Sequence, residues 1–286
     1  MPLDYEKLRA VHFKDEAHHY DEKDAILYAL SVGFGADASD RNELGYVCEC
    51  LEGGLKTVPT LATVLVRSAG AIDTPGINHE LLVHGDQRLR IDNPLPPEAD
   101  VLADTRVVEI FDKGADKGAL LLVETKLRLE DDTPLATSTT GLFLRGDGGF
   151  GGPKDGAPRP HAIPECDPDF IAPLHTTPNQ ALLYRLNSDR NPLHVDPDFA
   201  ARAGFDRPIL HGLCSYGIAC RGLIQHVCNY DAWRIREFDA RFSAPVFPGD
   251  VLEMEFWHKD ETVSFRVRNK ESKQVVINNG RCLLGG

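Results

Sequence analysis

Most residues that could do chemistry lie in one stretch of the chain, between positions 184 and 214. Within it, Asp189 and His194 are separated by four residues that include Asn191-Pro192. On a regular helix, side chains five positions apart point about 140° away from each other. Asn191-Pro192 interrupts a helix, because proline forces the residue before it toward extended geometry. We therefore predict a turn that brings a carboxylate and an imidazole to one point, where they could act as general acid and base on a single water.

A glycine follows at the start of a long apolar segment. Residues 209–227 are mostly apolar and periodic, which predicts a buried helix that begins near His211-Gly212. The first N–H groups of a helix have no partner within it, and the helix dipole favours negative charge there. The Gly212 amide is thus predicted to stabilise an oxygen that gains negative charge. Just upstream, Asp196-Pro197 predicts the cap and first residue of a short helix that ends near Gly204.

Each of these residue types also has an ordinary structural use. An Asp before a helix is usually a cap, and a His beside an apolar run is usually a structural residue. For His211 we favour the structural interpretation, with its ring bonded to nearby backbone. Lys113, in Asp112-Lys113-Gly114, would ordinarily be a turn lysine. For Asp189 and His194 together, the catalytic interpretation is favoured.

The elements that must position these residues fall into two halves. A run rich in glycine and proline, from Gly146 to Pro160, is unsuited to a helix or a central strand and is predicted to connect them. The first half covers residues 1–150 and the second residues 157–286. Periodicity predicts helices at 24–32, near 60–69 and at 209–227, and strands at 101–111, 119–129, 135–144, 238–243, 251–258, 262–269 and 275–284.

Two short echoes indicate a duplication. His84-Gly85 is matched by His211-Gly212, and the run 97–101 is matched by 248–251. A helix followed by antiparallel strands, repeated, predicts an α+β fold with a sheet wrapped around a long apolar helix in each half. The two sheets could join edge to edge, which would cover exposed strand edges. Apolar tunnels between such halves would suit an acyl chain.

Composition narrows the class of protein. The net charge of -13 argues against a nucleic-acid partner, although a few local cationic residues could still bind a small anion. No stretch approaches the roughly 20 apolar residues that span a bilayer, and the N-terminal residues do not resemble a signal peptide. Cys48 and Cys50 have no second pair at metal-binding spacing, so we expect reduced thiols. A cytoplasmic location is expected.

The same residues resemble a known family. Asp189 to His194, Ala203-Gly204-Phe205 and Pro208 to Cys214 are similar to the signature of MaoC-like hydratase 2 enzymes, which include the hydratase part of peroxisomal multifunctional enzyme type 2. Further matches, such as His84 to Gln87 and Pro248-Gly249, extend the resemblance over nearly the whole chain. The resemblance implies a double hot dog fold and an (R)-specific 2-enoyl-CoA hydratase, a lyase of fatty acid metabolism and β-oxidation.

The resemblance also implies roles for individual residues. Asp189 and His194 would be the catalytic pair, and the Gly212 amide would receive the thioester oxygen. The residues that would contact acyl-CoA are His84, Gly85, Lys113, Arg190, Asn191, Pro192, Leu193 and Phe242. The catalytic site would lie in the second half, because the first half has no Asp-x-Asn-Pro-Leu-His run and would accommodate the acyl chain. No metal or cofactor is implied, since the CoA thioester is the substrate.

Other interpretations stay open at this point. A 3-hydroxyacyl thioester dehydratase acting on an acyl carrier protein would use a nearly identical site in the reverse direction. A thioesterase on the same fold is disfavoured by the Asp-x4-His pair, and a non-catalytic acyl-CoA binding module would keep the site only to hold its ligand. A homodimer is expected because antiparallel sheets can extend across chains. A peroxisomal location would replace the cytoplasmic one in a eukaryote.

Overall fold

A computed structural model describes residues 3–65 and 76–285 of the chain. Its strands are β1 (His12–Tyr20), β2 (Leu82–Ile91), β3 (Ala99–Asp112), β4 (Ala119–Leu129), β5 (Pro134–Leu144), β6 (Phe170–His175), β7 (Ile235–Phe242), β8 (Val251–Lys259), β9 (Thr262–Asn269) and β10 (Val275–Leu284). Its α-helices are α1 (Tyr5–Arg9), α2 (Glu22–Ser31), α3 (Arg41–Leu44), α4 (Ala62–Leu65), α5 (Gln180–Tyr184), α6 (Pro197–Arg202) and α7 (Gly212–His226). Short 3-10 turns occupy Pro59–Leu61, His79–Leu81, Pro192–His194 and Ala232–Arg234.

The ten strands form one antiparallel sheet in the order β1-β3-β4-β5-β2-β7-β10-β9-β8-β6. The first five places hold the strands of the first half, and the last five repeat the same pattern in reverse. The halves meet where β2 pairs with β7, from Asp86 opposite Arg241 to Arg90 opposite Glu237. Two sheets joined edge to edge in this way are a double hot dog, so the predicted fold and the predicted junction are confirmed.

Helix α7 is the central helix of the second half. Eleven of its fifteen residues are buried, as the apolar periodicity predicted. Its Tyr216 packs against Phe238 of β7, with ring centroids 4.6 Å apart, and a side chain at Gly222 would meet Leu174 of β6. The helix begins at Gly212 because His211, the N-cap residue, has a ψ of 137° that is not helical. The predicted helix over 209–227 is therefore confirmed with a slightly later start.

Helix α2 of the first half packs on α7 of the second half. Asp21 and Asp24 form a reciprocal capping box that sets the start of α2, which confirms the predicted helix near 24–32. The helices approach so closely that a Cβ on Gly217 would lie 2.5 Å from a Val32 methyl group and 2.9 Å from the Tyr28 hydroxyl. The other helix predicted in this half, near 60–69, consists of a 3-10 turn and α4 up to Leu65, and its remainder lies outside the described residues.

The seven predicted strands are all present, with ends that move by three residues or fewer. Strands β1, β2 and β6 were not predicted. β1 and β6 are the two edges of the sheet, where charged residues and a proline such as Pro173 are tolerated and the apolar alternation is weak. The pairing of β2 is interrupted by a bulge at Gly85, so its periodicity is irregular.

One of the two sequence echoes marks equivalent structure. The runs 97–101 and 248–251 lead into β3 and β8, which occupy equivalent places in the two halves of the sheet. The His-Gly echo is wrong, because His84-Gly85 lies on β2 while His211-Gly212 starts α7. Two-residue matches recur by chance, whereas the longer match reflects the turn chemistry that starts a strand.

The expectation of reduced thiols at Cys48 and Cys50 is also wrong. These two cysteines form a disulfide, with Cα atoms 5.4 Å apart. That separation lies within the usual range for disulfides, which a bent chain reaches between residues two positions apart. Of the other cysteines, Cys166 is an exposed free thiol and four are buried.

The segment between the halves, residues 145–169, contains no helix or strand and crosses from β5 to β6. The Asp112 carboxylate anchors it by accepting hydrogen bonds from the backbone N–H groups of Gly114, Gly149 and Gly151. These hydrogen bonds, that from Gly149 foremost, lower the pKa of Asp112. Among the described residues, no helix is long and apolar enough to span a bilayer.

A buried ion pair joins α7 to the first half and supports a stability prediction. Arg221 donates to Glu43 over 2.5 Å, and both side chains are largely buried. Replacing Arg221 by methionine leaves the carboxylate buried without its cationic partner, which is expected to lower the free energy of unfolding by about 3–5 kcal/mol. Urea unfolding monitored by circular dichroism measures this loss. The matched control is Lys273→Met at the exposed pair with Glu253, where we expect a change below about 1 kcal/mol. Equal losses in the two variants would contradict the prediction.

Candidate active site

The turn between Asp189 and His194 brings its two ends together, as the Asn191-Pro192 pair predicted. Ser188 has a φ of 71°, which reverses the chain before Asp189. The Asn191 side chain then accepts from the Leu193 N–H and caps the 3-10 turn that ends at His194. As a result, a carboxylate oxygen of Asp189 and ring nitrogens of His194 and His211 lie within 4.8 Å of one another. The structure therefore brings the carboxylate and the imidazole that the sequence analysis predicts as an acid–base pair to one point.

The His194 ring is held in one orientation. Its Nδ1 lies 2.8 Å from the backbone carbonyl oxygen of Ile209 and donates to it, because a carbonyl can only accept. In the neutral ring the proton is thus on Nδ1, and the lone pair is on Nε2. The residue is only 9% exposed, so packing also restricts the ring. Nε2 is consequently the atom of His194 that can take a proton from a bound water.

His211 supports both members of this pair. Its Nε2 donates to the backbone carbonyl oxygen of Asp189 over 3.1 Å, and its ring stacks on that of His194 with centroids 3.7 Å apart. The Tyr184 ring packs against that of His211, with ring centroids 5.0 Å apart. The backbone hydrogen bond is the one expected for a structural histidine. Here it also positions the Asp189 backbone relative to His194.

Gly212 lies beside the junction of the two halves. It is the first residue of α7, so its N–H has no acceptor within the helix. A Cβ at this position would lie 3.5 Å from the ring of Phe242, at the end of β7. The other side of that ring contacts His84 of β2, with centroids 4.9 Å apart and nearly perpendicular planes. The site is therefore formed by the second half and bordered by the first.

His84 is held as a neutral imidazole. Its Nε2 lies 3.1 Å from the Gln87 side-chain oxygen, and Gln87 is fixed in turn by donating to Ser138. Burial lowers the pKa of His84 to about 4, although the hydrogen bond to Gln87 and the charge of Asp189 act in the opposite direction. His84 thus borders the site without adding positive charge.

This neutral histidine predicts a pH dependence of stability. Its pKa is 6.5 when unperturbed and about 4 in the folded chain, so the unfolded state binds more protons between these values. Stability attributable to His84 is therefore complete above pH 6.5 and falls as the pH drops toward 4, by about 3 kcal/mol in total. Urea unfolding of wild type and His84→Gln at pH 7.0, 5.5 and 4.5 measures the difference. The variant should lose less stability on acidification, and identical slopes would contradict the prediction.

Five other residues predicted to contact acyl-CoA lie on β2 and on the turn between Asp189 and His194. Gly85 follows His84 at the bulge of β2. Arg190, Asn191 and Pro192 are exposed on the turn itself, and Leu193 is half-buried. These four residues border the acid–base pair from the solvent side.

Lys113 lies apart from this group. Its Nζ donates to the Lys154 carbonyl oxygen over 3.0 Å and lies 5.2 Å from the centre of the Phe111 ring. These contacts are those expected of a turn lysine, and they attach the turn to the segment between the halves. A role for Lys113 in binding CoA stays a prediction.

Three groups that position residues of the site were not identified from the sequence. The Ile209 carbonyl orients His194, the Tyr184 ring supports His211, and Gln87 holds His84. Tyr184 begins the stretch 184–214 and Gln87 ends the run His84 to Gln87, so both lie in segments that the sequence analysis singled out. Their side chains were therefore available as candidates for a positioning role. The carbonyl of Ile209 leaves no signal in sequence, because every residue has one.

Comparison with known proteins gives concordant matches. The family model described as MaoC like domain matches residues 161–280, and the model described as MFE-2 hydratase 2 N-terminal domain matches residues 18–146. An enoyl-CoA hydratase of Mycobacterium tuberculosis is 37% identical over 260 residues, which cover 90% of each chain. A 3-hydroxyacyl-thioester dehydratase of the same organism is 38% identical over 245 residues, covering 84% of this chain and 83% of that one. The crystal structure of a MaoC-like dehydratase from Phytophthora capsici superposes with a TM-score of 0.88 at 30% identity, covering 99% of this chain and 98% of that one.

Proposed function

Because the chain belongs to the MaoC-like hydratase 2 family, we propose that it is an (R)-specific 2-enoyl-CoA hydratase. It would add water reversibly to trans-2-enoyl-CoA and yield (3R)-3-hydroxyacyl-CoA. The observation that carries this proposal is the convergence of Asp189 and His194 beside the first residue of α7. That arrangement holds an acid–base pair next to a backbone donor, which is what hydration of a conjugated thioester requires.

The reaction divides among these groups as follows. Asp189 and His194 hold one water, accept a proton from it as its oxygen bonds to C3, and return a proton to C2. General acid–base action of this kind contributes about 10²–10⁴-fold to the rate. The thioester oxygen gains negative charge in the intervening enolate, and the Gly212 N–H at the start of α7 donates to it. Addition of oxygen and hydrogen from one face accounts for a single stereochemical product.

The acyl-CoA would reach this site along the junction of the halves. His84 and Phe242, on the two strands of that junction, border the acid–base pair. We infer that Arg190, Asn191, Pro192 and Leu193 contact the thioester end from the turn. The acyl chain would extend into the first half, which lacks an Asp-x-Asn-Pro-Leu-His run of its own.

We propose that neither a metal nor a cofactor takes part. Asp189, His194 and His211 are close enough to bind a metal ion together. However, Asp189 and His194 suffice to take a proton from water and to return one without a metal. Dialysis against EDTA should therefore leave hydration unchanged. Loss of activity that added Zn²⁺ restores would show a metal-dependent reaction instead.

The deciding assay follows hydration of crotonyl- through dodecenoyl-CoA by loss of the enoyl absorbance. Chiral analysis of the 3-hydroxyacyl product is done on the same samples. We expect turnover with the (R) product. Formation of the (S) product, release of free CoA thiol, or tight binding without turnover would overturn the proposal in favour of another hydratase, a thioesterase or a binding module.

A second candidate function is dehydration of a 3-hydroxyacyl thioester carried by acyl carrier protein in lipid synthesis. The similarity to a 3-hydroxyacyl-thioester dehydratase supports it. The same residues would serve both directions, because the reaction is reversible. Comparing kcat/KM for matched CoA and carrier-protein thioesters distinguishes the two, and we expect the CoA thioester to be preferred.

Assembly and location are the remaining parts of the proposal. We infer a homodimer, since Leu182 and Leu186 on neighbouring turns of the chain are 56% and 47% exposed and would be covered by a partner. Light scattering after gel filtration tests this, and a mass near 31.6 kDa would contradict it. A cytoplasmic location, or a peroxisomal one in a eukaryote, is tested by cell fractionation.

A further inference from the structure

A cavity separate from the proposed active site lies on the outer face of the sheet. It has a volume of about 400 Å³ and is lined by residues of β2, β7 and β10 and by residues 158–161 of the segment between the halves. Phe238 of β7 is buried against Tyr216 of α7. Because successive strand residues point to opposite faces, Asp239 and Arg241 point away from α7 and into this cavity.

The cavity is rich in guanidinium groups. Its charged lining residues include Arg88, Arg159, Arg241 and Arg281, with Asp86 and Asp239 as the carboxylates. Arg88 pairs with Asp86 at 3.4 Å, and Arg281 pairs with Asp239 at 3.4 Å and with Glu237 at 2.6 Å. Arg241 lies opposite Asp86 in the pairing of β2 with β7, and Arg159 belongs to the segment between the halves. Four arginines against three carboxylates, Glu237 included, leave this region net positive in a chain whose net charge is -13.

The segment that covers the cavity is fixed in place. The His161 ring nitrogen Nε2 lies 2.7 Å from the Ser264 hydroxyl, and the His161 carbonyl oxygen accepts from Asn279 over 2.7 Å. These bonds hold Arg159, two residues away, over the strands. Leu120 and Phe143 add an apolar wall. The cavity is therefore a built concave site with both charged and apolar surface.

We propose that this cavity binds a phosphorylated small molecule through Arg159 and Arg241. Guanidinium groups match the geometry of phosphate oxygens and bind them with two parallel hydrogen bonds. A volume of about 400 Å³ is at the lower end of the range for small-molecule sites and suits a nucleoside diphosphate. The phosphate could belong to the ADP portion of the CoA substrate or to a separate nucleotide, and the first case deepens the proposed function whereas the second is independent of it.

Two pairs of consecutive residues connect this cavity to the proposed active site. Arg241 lines the cavity, while Phe242 contacts Gly212 and His84 on the opposite face. Likewise, Gly85 lines the cavity and follows His84 on β2. A ligand that moves either strand would therefore also move a residue that borders the acid–base pair.

The test measures binding of ADP and pyrophosphate to the full chain by titration calorimetry, with adenosine as the phosphate-free comparison. The variant is Arg159→Gln/Arg241→Gln. The matched control is Arg41→Gln/Arg90→Gln, which removes the same charge from exposed residues outside the cavity. We expect the cavity variant to weaken ADP binding at least about tenfold, because it removes the charged hydrogen bonds that both guanidinium groups make to the phosphates. The control should bind as wild type does. Equal ADP affinity in wild type and the cavity variant, or equal weakening in the control, would overturn the proposal.

Competition and kinetics then identify the source of the phosphate. If it belongs to CoA, saturating CoA displaces ADP, and the cavity variant raises KM for crotonyl-CoA but not for crotonyl-pantetheine, which has no phosphate. If it belongs to a separate nucleotide, ADP still binds in the presence of CoA and both KM values stay unchanged. Hydration without ADP binding would overturn only the cavity proposal. ADP binding without hydration would overturn only the proposed function.

Discussion

Replacing Asp189 by asparagine is expected to lower kcat for crotonyl-CoA hydration by about 10²–10⁴-fold with little change in KM. Asparagine has the same shape and retains the oxygen that accepts from the Asn191 N–H over 3.2 Å, so the turn should keep its geometry. What the amide lacks is the ability to take a proton from water. Steady-state kinetics at several pH values, together with thermal unfolding, measures the two effects separately.

The matched control is Asp198→Asn, an exposed carboxylate in the first turn of α6. It removes the same charge nearby and should leave kcat within about twofold of wild type. If the Asp189 variant retained most of its turnover while its fold stayed intact, the carboxylate would serve only to shape the turn, and the acid–base assignment would fail.

Replacing His194 by asparagine is expected to cause a loss of similar size, about 10²–10⁴-fold in kcat. The asparagine amide can still donate to the Ile209 carbonyl, which preserves the interaction that orients the ring. It provides no group that titrates near neutral pH. The pH–rate profile of the variant should therefore lose the limb that the imidazole produces, an effect that a purely structural histidine would not have.

A double variant sharpens this test. Two groups that hold one water act as a unit, so removing both should cost little more than removing either one. His175→Asn, on the exposed edge strand β6, serves as the histidine control and should leave the profile unchanged. Losses that multiply in the Asp189→Asn/His194→Asn variant would indicate that the two residues act in separate steps.

Local sequence signals account for much of the fold. The strands 119–129, 262–269 and 275–284 have the predicted ends, because their alternation is set by residues within the strand itself. The Asp196-Pro197 cap and the end of α6 near Gly204 follow from the same local chemistry. Edge strands β1 and β6 escaped prediction because their partners, rather than their own side chains, give them extended structure.

The cysteine pair is a case in which the local sequence led to a wrong prediction. The lack of a second cysteine pair at metal-binding spacing favoured reduced thiols at Cys48 and Cys50. Whether two cysteines bond depends on the distance between them, and that distance depends on the bend of the chain around Glu49. Sequence separation alone carries no such information.

The sequence by itself determined the turn that brings Asp189 and His194 together, since Asn191-Pro192 acts on its immediate neighbours. It also determined the helix start that places the Gly212 amide beside them. Only the tertiary structure decided that His84 and Phe242 from opposite halves border this site, that His211 stacks on His194, and that four arginines gather behind it. The contact of His84 with Phe242 arises from the pairing of β2 with β7, and the other contacts likewise depend on how separate elements pack, which no local pattern of side chains encodes.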